Sequence, residues 1–290
     1  MSGLLHFSLT KAKSYKYIEI RFYGGAQVRW SETYRETTGS GSSTTTRTRT
    51  VTYQSKETYI DETRILWSKE RGKIGPGIFD LPFQFVLPPD CLSSFRGSVG
   101  SVSYTLHGLI KTGLFHQDHK IQAIVPVSRI TDINIPRLLM PIRQSKKIHI
   151  GMFFCCLGSN VEITVSLSRT GFCIGENLPL TVNVVNGSSR RIKLRASIQG
   201  FTHYYAQGHA YHDRKTKVVS VTTPDIAPHS EQIVNIEDLV VPMVLPSIYG
   251  SQIIKMRYFL KVTAVIPWER SNSFVIIPIT LGNVPFEQPE

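Results

Sequence analysis

The sequence predicts an all-β protein made of two tandem antiparallel β-sandwiches, and three observations carry that prediction. Apolar residues recur at every second position and almost nowhere at helical spacing. The alternating runs are cut about every ten residues by clusters of Gly, Pro, Asn or Ser, the rhythm of short strands and turns. The two halves of the chain also repeat one another.

The alternation is strict in four places. Ile18, Ile20 and Phe22 alternate with Glu19, Arg21 and Tyr23; Val161, Ile163, Val165 and Leu167 alternate with Glu162, Thr164, Ser166 and Ser168. Ile192, Leu194, Ala196 and Ile198 follow the same rule, as do Met256, Tyr258, Leu260 and Val262. A period of two sends one set of side chains to a buried face and the other to water. Phe79, Phe83 and Phe85 fall on one such face and read as core, whereas Trp30 and Trp67 fit either face.

The repeat sets the domain count. The run from Ile18 to Gly24 matches the run from Ile192 to Gly200, and Gly97 before Tyr104 matches Gly250 before Tyr258. Gly24 and Gly97 are 73 residues apart, but Gly200 and Gly250 only 50. The excess is assigned to residues 37–50, a Thr-, Ser-, Gly- and Arg-rich segment that reads as a loop too polar to join a core. The first sandwich is expected over residues 1–135 and the second over 146–284, with the joint inside 132–147, where prolines and basic residues interrupt the pattern. The second copy holds two strands' worth of residues before Ile192, at 161–167 and 180–185. Only 17 residues precede Ile18, room for one strand such as 4–9. One strand of the first sandwich is therefore expected to be missing.

Composition excludes several classes. With 290 residues, 41% hydrophobic and 19% charged, the chain can bury a core and is not disordered as a whole. Its 21 glycines, 16 prolines and four cysteines fit neither collagen nor a disulfide scaffold. No run reaches the ~18 apolar residues of a membrane span, and the opening MSGLLHFSLTKAK has no apolar signal-peptide core. A soluble intracellular protein is the expectation. The net charge of +12 is uneven, with 21 basic against 11 acidic residues in 1–150 and 12 against 10 in 151–290. That asymmetry points to an acidic partner for the first half, such as anionic lipid or a phosphorylated peptide. Nucleic acid is not expected, because no aromatic RNA-binding motif, zinc-finger spacing or basic helix is visible.

The candidate partner-binding residues are basic. Arg47 and Arg49, flanked by hydroxyls, suit charge-assisted hydrogen bonds to phosphate. Lys11, Lys13 and Lys16 form a second cluster at the turn before Ile18, where lysines also discourage edge pairing. No catalytic set emerges: the nucleophile elbow, the phosphate loop and the His-Glu-x-x-His zinc motif are all absent. Adjacent Cys155 and Cys156 would point to opposite faces of a strand, and Cys91 and Cys173 sit alone, so no metal is expected. His116, His119, His209 and His212 read as solvated loop histidines. No cofactor is expected.

At this point the residues carry a resemblance. Gly75-Pro76-Gly77-Ile78-Phe79-Asp80-Leu81-Pro82-Phe83-Gln84-Phe85, followed by Ser94-Phe95-Arg96-Gly97 and Tyr104, resembles an arrestin N-domain. Arg169-Thr170-Gly171-Phe172-Cys173-Ile174-Gly175-Glu176-Asn177 and the ending Pro278-Ile279-Thr280-Leu281-Gly282-Asn283-Val284 resemble an arrestin C-domain. Ile20-Arg21-Phe22-Tyr23-Gly24-Gly25-Ala26-Gln27-Val28-Arg29-Trp30-Ser31-Glu32 is similar to the α-arrestins, the arrestin domain-containing and thioredoxin-interacting proteins. The resemblance implies tandem arrestin-like, immunoglobulin-like sandwiches and a non-enzymatic adaptor in membrane-protein trafficking. Its partners would be cytosolic tails of membrane receptors or transporters, held along a strand edge or the concave N-domain face. The expected location is cytoplasmic, with peripheral association at plasma membrane or endosomes. The family recruits ubiquitin ligases through Pro-Pro-x-Tyr motifs. The only Pro-Pro pair here, Pro88-Pro89, is followed by Asp90 and Cys91, so a ligase partner is not supported by that motif. The alternative reading is a vacuolar-sorting or retromer-type structural subunit on the same double sandwich.

Overall fold

The computed structural model describes residues 1–12, 15–38, 45–113, 117–150, 159–267 and 273–286. The chain divides into two compact units. Unit 1 comprises Met1–Arg129, Tyr204–Tyr211 and Gly250–Ile254; unit 2 comprises Ile130–His203, His212–Tyr249 and Lys255–Glu290. Helical structure among the described residues is confined to a 3-10 turn at Lys69–Arg71 and a four-residue helix, α1 (Pro136–Leu139). No described helix is long and apolar enough to cross a membrane.

Among the described residues, seven strands belong to the first part of the chain: β1 (Ser2–Leu9), β2 (Tyr15–Thr38), β3 (Thr45–Ser68), β4 (Gly77–Gln84), β5 (Phe95–Arg96), β6 (Gly100–Thr112) and β7 (His119–Ile124). β3, β2, β6 and β5 lie side by side, and β7 also pairs with β6. The second described sheet is only β1 paired antiparallel with β4. Alternation aims Leu5, Phe7 and Leu9 of β1 and Phe79 and Leu81 of β4 at Tyr15 and Ile18 of β2, forming one apolar cluster with Ile74 and Ile110. Phe22 continues it, its ring 5.5 Å from Phe85 and 6.3 Å from Tyr104.

The second part carries β8 (Ile142–Ile150), β9 (Ser159–Leu167), β10 (Gly171–Cys173), β11 (Leu180–Asn186), β12 (Lys193–Ala206), β13 (His209–Thr222), β14 (Ser230–Ile236), β15 (Ile254–Val265) and β16 (Ser273–Gly282). One sheet has the order β14-β11-β9-β8 and the other β10-β16-β15-β12-β13, with β10 parallel to β16. The alternating sets read from the sequence are the ones buried. Val161, Ile163, Val165, Ile192, Leu194, Ala196, Ile198, Leu260 and Val262 have no exposed surface.

A shared device confirms the repeat. Gly24 pairs across the ladder with Tyr104, and a Cβ on Gly24 would lie 2.2 Å from that ring. A Cβ on Gly200 would lie 2.9 Å from the ring of Tyr258. Each tyrosine hydroxyl then donates to a main-chain carbonyl, Tyr104 to Leu92 at 2.6 Å and Tyr258 to Leu245 at 2.7 Å. Only glycine leaves room for the ring to cross the strand and reach that acceptor.

Several expectations need correction. Residues 37–38 and 45–50 are strand rather than loop. β2 runs to Thr38 and β3 starts at Thr45, in register from Thr38↔Thr45 to Glu36↔Arg47 and Tyr34↔Arg49, while 39–44 lie outside the described residues. The segment is too polar for a core, but β-branched threonines suit an exposed ladder, and cross-strand hydroxyl pairs such as Ser31–Thr52 at 2.8 Å hold it. The excess length of the first copy is therefore mostly hairpin: β2 and β3 have 24 residues each, β12 and β13 only 14. Within the expected joint, residues from 142 onward form β8, because Ile148 and Ile150 bury against the sheet while Lys146 and Lys147 stay outside. Four described strands of the second copy, β8 to β11, precede Ile192 rather than two. Trp30 is buried and Trp67 packs at the margin of the core. Phe85 is fully buried, but Phe79 and Phe83 are only partly covered, since the sheet that carries them is two strands wide.

Gly24→Ala should lower the unfolding free energy by about 1–3 kcal/mol, the usual cost of forcing an extra carbon into a packed site. Urea denaturation measures it, and an unchanged midpoint would contradict the ring-over-glycine account.

Candidate binding surfaces

The expected basic residues do not converge. Lys11 lies exposed in the turn after β1, and Lys16 is exposed near the start of β2. Lys13 lies outside the described residues. Arg47 and Arg49 sit exposed near the far end of the β2–β3 hairpin, some 20 residues along the ladder from Lys16, about 65 Å of extended strand. Both arginines project from the face that, further along, buries Trp30 and Tyr53. Acidic side chains share that face. Glu36 is paired opposite Arg47, and Glu32 accepts hydrogen bonds from Trp30 Nε1 (3.0 Å) and Tyr34 Oη (2.5 Å). Those two donors hold the Glu32 carboxyl below its usual range.

A second cationic group emerges only from the strand register. Lys56 on β3 pairs with Gln27 on β2, Gln27 with Ser101 on β6, and Ser101 with Arg96 on β5, so four side chains form one row across the sheet. Arg29 and its partner Gln54 make the adjacent row. Together they line a cleft of about 450 Å³, closed at one side by the Gly97–Gly100 turn, in which Gly97 N–H donates to Gly100 O at 2.9 Å. Arg29, Lys56 and Arg96 are exposed, no carboxylate lines the cleft, and none of the three forms an ion pair among the described residues. Elsewhere in unit 1, some cations are neutralised by paired carboxylates. Arg21 grips Asp61 through two 2.6 Å contacts, and Lys111 meets Asp118 at 2.6 Å. Lys111 and the Thr112 amide hold the Asp118 carboxyl down at about 2.

The flank beside β1 is apolar and open. Among the described residues β1 pairs with β4 alone, whereas its counterpart β11 pairs with β14 on one side and β9 on the other. Leu5 and Ile121 approach one another over Gly108, and Ile121 remains 63% exposed. In unit 2 a groove of about 680 Å³ is lined by Leu138, Met140, Tyr249, Phe259 and Ile279 with Arg137 and Arg257.

The thiols and imidazoles form no metal centre among the described residues. Cys91 is buried, Cys173 partly so, and Cys155, Cys156 and His116 lie outside the described residues. His209 and His212 are strand residues of β13 rather than loop residues. The His209 ring lies tilted against that of Tyr53, with centroids 4.2 Å apart, and His212 Nδ1 lies 2.6 Å from His203 Nδ1. Burial, then the neighbouring His212, Arg257 and Lys255, push His203 below its ordinary value of 6.5.

Comparison with known proteins is consistent across the chain. Residues 1–134 match the arrestin (or S-antigen) N-terminal domain, and residues 158–286 match the arrestin (or S-antigen) C-terminal domain. Arrestin domain-containing protein 4 of Homo sapiens is 31% identical over 217 residues, 73% of this chain and 50% of that protein. Its Mus musculus counterpart is 30% identical over the same shares. Arrestin domain-containing protein 1 of Rattus norvegicus is 26% identical over 236 residues, 80% of this chain and 52% of that protein. The chain thus spans about half the length of these relatives.

A histidine with a depressed folded-state pKa binds its proton more readily when unfolded. Its contribution is therefore lost as pH falls from the ordinary value of 6.5 toward the lower folded value, and is unchanged above that window. Thermal melts between pH 7.5 and 5 should show a falling midpoint that His203→Gln flattens in part. Identical pH profiles for the two proteins would contradict the assignment.

Proposed function

Because both halves of this chain belong to the arrestin family, we propose that it is a non-enzymatic adaptor in membrane-protein trafficking that binds the cytosolic tails of receptors or transporters. The observation that carries this reading is the pairing of two arrestin domains with a cationic surplus concentrated in the first half, 21 basic against 11 acidic residues in 1–150. An extended tail bearing carboxylates or phosphates would be steered to that half by charge and held by main-chain and charge-assisted hydrogen bonds. Arg47 and Arg49 at the hairpin end, together with Lys11, Lys13 and Lys16, are the residues proposed to meet it. The separation of these two groups along β2 fits contacts at two points of a long partner better than one compact pocket. Such an adaptor works in the cytoplasm and at the cytosolic surface of the plasma membrane or endosomes. A ubiquitin ligase is a further proposed partner, although residues 1–290 hold no Pro-Pro-x-Tyr motif.

The test is affinity capture from cells, with and without crosslinking, scoring receptors, transporters, ligases and sorting subunits. Cargo-dependent recovery of membrane proteins after crosslinking is the expected result. Stoichiometric recovery of sorting subunits without crosslinking would favour a structural subunit instead. Captured-tail binding should weaken from low to physiological salt, since exposed charges are screened over ~8 Å. Arg47→Ala with Arg49→Ala should weaken it about two- to tenfold, as expected for two exposed ion pairs. Binding that ignores salt would remove the charge argument.

A further inference from the structure

We propose that Thr50 is a phosphorylation site for an arginine-directed protein kinase, and that Arg35 on the neighbouring strand clasps the phosphate once it is attached. The proposal rests on the adaptor reading only for what the modification does to tail capture, not for the chemistry of the site.

The segment around Thr50 carries the recognition pattern. Arg47 stands three residues before it, Arg49 one before and Val51 one after, and both arginines are exposed. A kinase groove lined with carboxylates selects substrates by such fixed cations, each of which offers a charge-assisted hydrogen bond. The strand also presents them well. β3 is the end strand of its sheet, and beyond Arg29, whose N–H donates to Val99 O, β2 has β3 as its only partner among the described residues. A two-stranded ribbon is marginally stable by itself, so opening it locally to seat an extended segment costs little. Thr52 shares one arginine, Arg49, at the same spacing. Its hydroxyl, however, lies 2.8 Å from Ser31 Oγ, and the residue after it, Tyr53, is buried. The Thr50 hydroxyl has a longer contact of 3.4 Å with Thr33.

The register supplies the clasp. Odd-numbered residues 27–37 of β2 and even-numbered residues 46–56 of β3 share one exposed face, with Thr33 opposite Thr50 and Arg35 opposite Thr48. That face holds no carboxylate, because Glu32 and Glu36 alternate onto the other side. Thr50 is diagonal to Arg35, a separation of about 7–8 Å that a guanidinium on a long side chain spans. In the transfer, Thr50 Oγ1 attacks the γ-phosphorus of a nucleoside triphosphate held by the kinase. The new O–P bond forms as the bond to the β,γ-bridging oxygen breaks, the nucleoside diphosphate leaves, and the hydroxyl proton passes to the kinase's base. The phosphate brings a charge of about −1.5 to −2 and three acceptor oxygens, for which Arg35 and the Thr33 hydroxyl are the facing donors. Over residues 29–37 and 46–54 four arginines stand against two glutamates, so one phosphate cancels the positive surplus there. Capture of an acidic tail at Arg47 and Arg49 is thereby turned down.

The experiment incubates the whole 290-residue chain with ATP and calmodulin-dependent protein kinase II, which requires arginine three residues before its acceptor. Casein kinase II, which requires carboxylates after its acceptor, is the comparison enzyme, and tandem mass spectrometry locates the phosphate. Thr50 is expected to be the main hairpin site for the first enzyme and to stay unmodified with the second. Arg47→Gln should slow labelling of Thr50 by about tenfold, and Arg47→Lys by less. Arg143→Gln, an exposed arginine of β8, should change the rate by less than about twofold. These side chains are exposed, so the variants should melt with the parent chain, and the lysine variant keeps the test decisive if the glutamine variant does not. The clasp has its own signature in the phosphorus-31 resonance of the labelled chain. A phosphothreonine peptide of residues 46–54 titrates near the usual second pKa of about 6. The parent chain should titrate at least about half a unit lower, and Arg35→Gln should return most of the way to the peptide. Labelled chain should capture acidic tails about two- to tenfold more weakly than Thr50→Val treated in the same way. Thr50 left unmodified by the arginine-directed kinase, equal rates for Arg47→Gln and the parent, or equal titration midpoints for Arg35→Gln and the parent would each overturn the proposal. Full labelling of a clasped Thr50 with tail capture unchanged would instead count against the adaptor reading and leave the site standing.

Discussion

The apolar face of each large sheet has to be covered, and the width of the covering sheet governs how dry each unit's core becomes. In unit 2 the cover has four strands, β14-β11-β9-β8, and Val161, Ile163, Val165, Val182 and Val184 lose all contact with water. In unit 1 it has two among the described residues, and Leu5, Phe7, Leu9, Phe79 and Leu81 stay partly exposed on the face that should be dry. Full burial of such a side chain contributes about 1.5–3 kcal/mol, so partial burial at five positions forgoes several kcal/mol. That is comparable with a domain's whole net stability of about 5–15 kcal/mol. The edge of β1 left unpaired among the described residues is also unguarded. Ser2–Leu9 carries His6 as its only titratable side chain, whereas the edge strand β8 carries Arg143, Lys146 and Lys147, and β3 is charged along its length.

Polar function follows the same division. The second face of unit 1's large sheet points to water, so the residues alternating with the core are free to carry charge. Some of that charge is neutralised internally, as in Arg21–Asp61 and Lys111–Asp118. The cleft around Lys56, Gln27, Ser101 and Arg96 is where positive charge accumulates without a carboxylate. Around Arg47 and Arg49, by contrast, Glu32 and Glu36 share the surface, so binding there depends on displacing or outcompeting fixed negative charge.

The fold was largely legible because its signal is local. Period-two alternation names the buried face of each strand without knowledge of its neighbours, and the matched Gly24–Tyr104 and Gly200–Tyr258 pairs mark equivalent strands. Three things were not. Residues 45–50 read as loop because threonine and arginine fail a hydrophobicity test while passing the steric test for a ladder. β10 is too short, at three residues, to show a period. The cleft depends on register across four strands spanning Gln27 to Ser101, which no local pattern encodes. A usable trace did exist: Gln27 and Arg29, then Gln54 and Lys56, place polar and cationic groups two apart on adjacent strands with no acid between them on that face.

Hydrogen exchange on the free, full-length chain tests the unequal cover most directly, because amide protection reports local opening strand by strand. The account expects β1 and β4 amides to exchange well before those of β9 and β11, with β2 and β6 of unit 1 intermediate. Equal protection of β1 and β11, or slower exchange in β1, would contradict it.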